Sequence, residues 1–102
     1  LYVSPAGLEN VGYTLDDFNR EPQLFSTLIH PDDVPRHSRI YQARHERWRE
    51  PVEVEYRVRC KDGAYRWFFE RQIPKFDGEG EIEFFDCVCI DIQQRKLLDA
   101  ND

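Results

Sequence analysis

His30, Asp32 and Asp33 stand in a His-Pro-Asp-Asp run, and an imidazole beside two carboxylates could ligate a metal ion or act as a general base. The run reads better as a helix start, with Asp32 or Asp33 accepting free backbone N–H groups while its charge faces the positive helix end. A second imidazole, His37, shares a helical stripe with Val34, Tyr41 and Trp48, and Ile40 borders it. Cys87 and Cys89 lie on one face of a strand and could supply half of a zinc site. A structural site needs four ligands and no second pair follows, so these thiols and Cys60 are expected as small buried side chains without metal. Ser4, Ser26 and Ser38 have cap or loop explanations, and neither a glycine-rich phosphate loop nor a nucleophile elbow is present. Catalysis by this domain alone is not expected.

A binding role has more material. Tyr41, Tyr56, Trp67 and Phe69 could line a pocket for a small apolar or aromatic metabolite, with Arg57, Arg59, Arg66 or Arg71 as anion clamps, or could simply form core. Arg71 shares strand parity with Trp67 and Phe69; facing inward it would need an acidic partner, for which Asp86 is the candidate.

The elements that position these groups follow from periodicity. Val52, Val54, Tyr56, Val58 and Cys60 alternate with charged residues, which predicts a half-buried strand, and Tyr65, Trp67, Phe69 and Ile73 recur at odd positions beyond Lys61-Asp62-Gly63. Residues that tolerate positive φ between the two runs predict a hairpin. Before it, Ser4-Pro5 reads as a capped helix start, and Thr14 with Asp17 has capping-box spacing for a brief helix carrying Leu15 and Phe18 inward. Glu21 to Ser26 reads as a loop, followed by Leu28 and Ile29 as buried anchors. The longest helix is expected from about Asp33 to Trp48, ended by Glu50-Pro51. Ile82 to Ile92 reads as a strand apolar on both faces, and Gln93 to Asp102 as a helix.

Composition bounds the class. A chain of 102 residues is expected to form one domain, and a net charge of −6 argues against a phosphate-binding surface and hence against nucleic acid as partner. No apolar run approaches a membrane span, Leu1 to Val11 is not a signal sequence, and three cysteines suit a reducing compartment. A cytoplasmic domain without direct membrane contact, or the cytosolic part of a membrane-anchored sensor, is therefore expected.

The wording around the hairpin, Glu55-Tyr56-Arg57, Lys61-Asp62-Gly63 and Tyr65-Arg66-Trp67, resembles that of PAS sensory domains. Gly12-Tyr13-Thr14, His30-Pro31-Asp32-Asp33, and Asp91-Ile92 followed by Gln94-Arg95-Lys96 agree in order and spacing, and the resemblance is to the His-Pro-Asp-Asp branch of that family. It implies an α+β fold, a twisted antiparallel sheet with short helices and one longer helix on one face. It places the sensory domain at residues 1–96 and the start of an output linker helix at 97–102. It also implies a non-catalytic input or dimerisation module in a bacterial histidine kinase or cyclic-dinucleotide enzyme, with homodimerisation, an attached effector domain and a small-molecule ligand as expected partners. A purely structural dimerisation module is the alternative. Haem-binding members carry their axial histidine near the position of His37, which makes haem-based gas sensing a second alternative, but the aromatic set would fill the cavity and neither haem nor flavin is expected. The closing motif assigns signal coupling to Asp91, Gln93 and Arg95, with Gln93 where the family has Thr. The family's first strand would precede Leu1. The sheet is accordingly expected to close either through Leu1 to Val3 moving onto the final strand or through a second chain in a symmetric dimer.

Overall fold

A computed structural model describes residues 2–3 and 9–100 of the chain. Four strands, β1 (Tyr2–Val3), β2 (Val52–Arg59), β3 (Tyr65–Phe76) and β4 (Ile82–Asp91), form one sheet in the order β1-β4-β3-β2. The helices are α1 (Leu15–Arg20), α2 (Leu24–Leu28), α3 (Val34–His45), entered through a 3-10 turn at Pro31–Asp33, and α4 (Gln93–Ala100). The α+β architecture is as expected. β2 with β3 and β3 with β4 are antiparallel, whereas β1 runs parallel to β4, Tyr2 opposite Val88 and Val3 opposite Cys89. Of the two routes for closing the sheet, the N-terminal segment on the final strand is the one observed.

Apolar residues at i, i+2 along β2 and at i, i+3 along α3 meet in a single core. Val52, Val54, Tyr56 and Val58 pack with Phe68 and Cys89 of the sheet and with Leu28, Ile29, Ile40 and Ala43 of the helical layer. Thr14 caps α1 as expected: its Oγ1 accepts from the Asp17 N–H at 3.1 Å while Asp17 Oδ2 accepts from the Thr14 N–H at 2.9 Å. Phe18 is half-buried against Tyr13 and Phe25, but Leu15 points to solvent, 63% exposed. The expected loop at 21–26 is partly helix, because α2 starts at Leu24. The Ser4-Pro5 cap lies outside the described residues.

The buried stripe of α3 is Asp33, His37, Ile40 and Ala43, rotated from the expected one: Val34 and Tyr41 are about half exposed. The helix also ends before Glu50-Pro51. Arg47 takes a left-handed conformation (φ 55°), its N–H donates to the Arg44 carbonyl, and the Trp48 N–H donates to the Ala43 carbonyl at 2.8 Å. These are the two bonds of a Schellman cap, here without the usual glycine.

The hairpin forms where expected, with the opposite parity on its second strand. Cys60 and Ala64 pair across Lys61-Asp62-Gly63, Gly63 supplying φ 94°, so the turn holds three residues. Tyr56 then faces Phe68, and Val54 faces Glu70. Directly opposite residues share a face of the sheet, so the core side of β3 carries Phe68, Glu70 and Gln72. Trp67, Phe69, Arg71 and Ile73 lie on the other side, half-buried or exposed.

Candidate functional site

Between α3 and the sheet runs a polar seam built into the core. Glu70 and Tyr56 stand on neighbouring strands and Cys89 continues the row on β4, because Glu70 pairs with both Val54 and Cys89. The Tyr56 hydroxyl donates to Glu70 Oε1 at 2.7 Å and lies 3.3 Å from Cys89 Sγ. His37 enters from α3 with its ring 4.5 Å from that of Tyr56 and 5.3 Å from that of Tyr41, and its Nε2 is 3.4 Å from Glu70 Oε1. That nitrogen is fully buried and makes no hydrogen bond. Farther along, Gln72 Oε1 accepts from Arg44 Nε at 3.1 Å, and Arg44 Nη2 is 3.1 Å from Cys87 Sγ.

Burial governs the protonation of this seam. It pushes the Tyr56 phenol well above its ordinary value, and the neighbouring Cys89 and Glu70 add to the effect. The Cys89 thiol is pushed up to about 12, chiefly by burial. All three cysteines are buried and unpaired. Their thiols should therefore react with a disulfide probe at least about 100-fold more slowly in the native protein than in urea, since a buried sulfur is out of the probe's reach. A native rate near the unfolded one would show that the seam opens to solvent.

A second constellation lies where β4 passes into α4. Asp91 Oδ1 accepts from the Gln93 N–H, and Oδ2 accepts from Arg66 Nε and Asn10 Nδ2, each at 2.9 Å. Burial alone would raise this carboxyl, but the Gln93 N–H, Arg66 and Asn10 together hold it below its ordinary value. Gln93 does more than replace a threonine: its Oε1 reaches back and accepts from the Trp67 N–H at 2.8 Å, pinning the first residue of α4 to β3. One turn later Glu55 takes both Arg95 Nη2 and Lys96 Nζ at 2.6 Å, Lys96 foremost in holding the Glu55 carboxyl below its usual range. The Lys96 ammonium also lies 4.5 Å from the Trp67 ring centroid.

The third cluster is the His-Pro-Asp-Asp run, and its chemistry differs from that expected. The capping acceptor is His30, whose Nδ1 takes the Asp32 N–H at 3.1 Å. Asp33 makes no such cap. It turns into the fold and accepts from the Arg57 N–H, Nε and Nη2 at 2.7 to 2.9 Å, with Arg36 at 3.0 Å. The guanidinium of Arg57 holds this buried carboxyl at about 2 against an ordinary 3.8.

The residues expected to line one pocket are thus divided. Tyr56 is in the seam, and Tyr41 touches His37 at its rim, but Trp67, Phe69 and Arg71 lie across the sheet, as the hairpin parity requires. Arg71 pairs with Glu53 at 3.2 Å on the outer face and not with Asp86, which stands opposite Ile73. Asp33 was expected only as a helix-start acceptor, and Glu70 and Gln72 were not singled out by sequence reasoning. The signal for Glu70 and Gln72 was an excess of polar residues at one parity of β3, legible only once the three-residue turn is counted. On the Nε2 side of His37 the space a porphyrin would need is taken by Glu70 and Tyr56, so the residues present do not fit a haem.

A sheet with one helical face, and a final strand that hands its chain into a clamped helix, defines an α+β domain of one sheet and one helical layer. The chain belongs to the PAS fold family, whose model matches residues 1–89. It is 33% identical over 89 residues to the methyl sulfide methyltransferase-associated sensor of Methanosarcina acetivorans, covering 87% of this chain and 9% of that protein. It is 30% identical over 95 residues to the uncharacterized protein y4lL of Sinorhizobium fredii, covering 93% of this chain and 11% of that one. The chain spans about a tenth of the length of these curated relatives. Among solved structures, a sensory box histidine kinase/response regulator from Burkholderia thailandensis matches with a TM-score of 0.64 at 31% identity, over 98% of this chain and 73% of that one. The chain is thus a module of sensory signal transduction. No described helix is long and apolar enough to cross a membrane.

Proposed function

We propose that this domain receives a signal at the seam between α3 and the sheet and passes it to an attached effector through α4. The observation that carries the reading is the clamp at the β4–α4 junction, where Asp91 and Gln93 fix the direction in which the chain leaves the sheet. A helix held by a few polar contacts at a strand exit has two accessible arrangements, and a ligand with different affinity for each shifts their populations. Arg95 belongs to this coupling set through Glu55. The polar lining of the seam, with an unpartnered His37 Nε2, supports a small ligand that forms hydrogen bonds. The effector would be a kinase, as in the histidine kinase relative, or another catalytic domain, this domain itself having no catalytic part.

A second reading, input by homodimerisation in a cytoplasmic protein, is favoured by the outer face of the sheet, where Phe84 and Ile90 are 54% and 42% exposed. Denaturing the purified protein and identifying released small molecules by mass spectrometry, alongside sedimentation, separates the two. A stoichiometric small molecule supports the first, and an empty dimer supports the second. An empty monomer contradicts both routes of input. Neither haem nor flavin is proposed as the ligand; a Soret band lost in His37→Ala would overturn that.

A further inference from the structure

Arg57 is bound by one carboxylate and shares its strand face with another. It follows Glu55 by two residues on the same, outward face of β2, about 7 Å along the strand and within reach of a guanidinium. Its fork is held at the start of α3 by Asp33, through Nε at 2.9 Å and Nη2 at 2.8 Å. Glu55 is thereby left to Arg95 and Lys96 of α4. Arg57 and Lys96 also share one indole: their charged groups lie 5.0 Å and 4.5 Å from the Trp67 ring centroid. Two cations on one ring repel each other, and the arrangement is tolerable while each has its own carboxylate.

We propose that Arg57 is an exchangeable cation: held by Asp33 it leaves Glu55 to α4, and freed from Asp33 it takes Glu55 and releases the first turn of α4 from the sheet. This deepens, and rests on, the reading of α4 as the output. The input side is provided by position, because Asp33 lies one helical turn before His37 on the inward stripe of α3. Whatever shifts α3 over the seam also moves Asp33 against β2. The device needs no contiguous displacement of the core, only the exchange of one guanidinium between two acceptors at the sheet's edge.

Amide hydrogen exchange of Leu97 to Asp99, referenced to the core amide of Phe68, reads the release in this chain without any effector, so it stands or falls separately from regulation of an effector. Asp33→Asn is expected to speed α4 exchange about fivefold, the scale of losing two exposed ion pairs. Arg57→Gln, which removes the competitor, is expected to leave the rate near wild type, and the double variant D33N/R57Q to restore it. Arg57→Lys tests the same exchange with Asp33 intact: a lysine loses the forked hold on Asp33 but keeps its charge for Glu55, so it should speed exchange where Arg57→Gln does not. Equal acceleration by Arg57→Lys and Arg57→Gln, or no restoration in the double variant, would overturn the proposal, because loss of a structural contact alone behaves that way.

Discussion

Replacing Asp33 by alanine is expected to cost about 3 kcal/mol, the range for breaking a buried ion pair from one side. The carboxylate is 1% exposed and, among the described residues, is the sole side-chain tie between the His-Pro-Asp-Asp turn and the backbone of β2, accepting the Arg57 N–H as well as its guanidinium. Without it, a backbone donor and a half-buried cation lose their acceptor together. Urea unfolding reads the loss directly; with an m-value of about 1.5 kcal/mol/M, the midpoint should fall by about 2 M. The pH dependence gives an independent check. Because the folded carboxyl sits at about 2, below its ordinary 3.8, its contribution is present above the ordinary value and is lost as pH falls through the folded one. The shift corresponds to about 2 kcal/mol, which wild type should lose between about pH 4 and pH 2 and the Asp33→Ala variant should not. Parallel acid curves for the two proteins would mean that this carboxylate titrates as if exposed.

Much of the fold is legible in the residues because local chemistry and global position agree. The Thr14–Asp17 box, the strand at Val52 to Arg59 and the final helix all lie where their sequence signals put them. The second hairpin strand shows where legibility ends. Its apolar residues Trp67, Phe69 and Ile73 occupy odd positions, and a two-residue turn at Asp62-Gly63 would have carried them inward. The turn holds three residues, and a change of one in register moves every side chain to the other face. The core face of β3 is therefore the more polar one, Glu70 and Gln72 included, and a hydrophobic pattern cannot reveal a face chosen for buried hydrogen bonds. α3 is misread for a similar reason: its inward stripe begins with a charged residue, Asp33, whose partner is 24 positions away. Such pairings are invisible until β2 is placed beside the turn. Gln93 is a milder case, in which the side chain reaches a backbone donor 26 positions away that its own neighbourhood does not reveal.

The Tyr56 and Glu70 pair should show strong non-additivity. Tyr56→Phe removes the hydroxyl that donates to Glu70 Oε1 at 2.7 Å, and no other described donor bonds that carboxyl. With Glu70 only 4% exposed, water cannot substitute without opening the seam, and the single change should cost about 2 kcal/mol, the penalty of a buried acceptor left unmet. Adding Glu70→Leu to Tyr56→Phe removes the acceptor as well and replaces it with apolar volume between Val54 and Cys89 on the core face of the sheet. The double variant should therefore recover at least about 1 kcal/mol of what the single one loses, since deleting both partners of a buried hydrogen bond is far less costly than deleting one. A double-mutant cycle by urea denaturation measures this. If the two losses simply add, Glu70 has access to water in the native state, and the seam is a solvated cleft instead of a closed polar core. If the recovery is seen, the same variant separates stability from sensing: it keeps the fold while stripping the seam of the carboxyl beside His37, so any ligand that enters by hydrogen bonding there should bind it far more weakly than wild type.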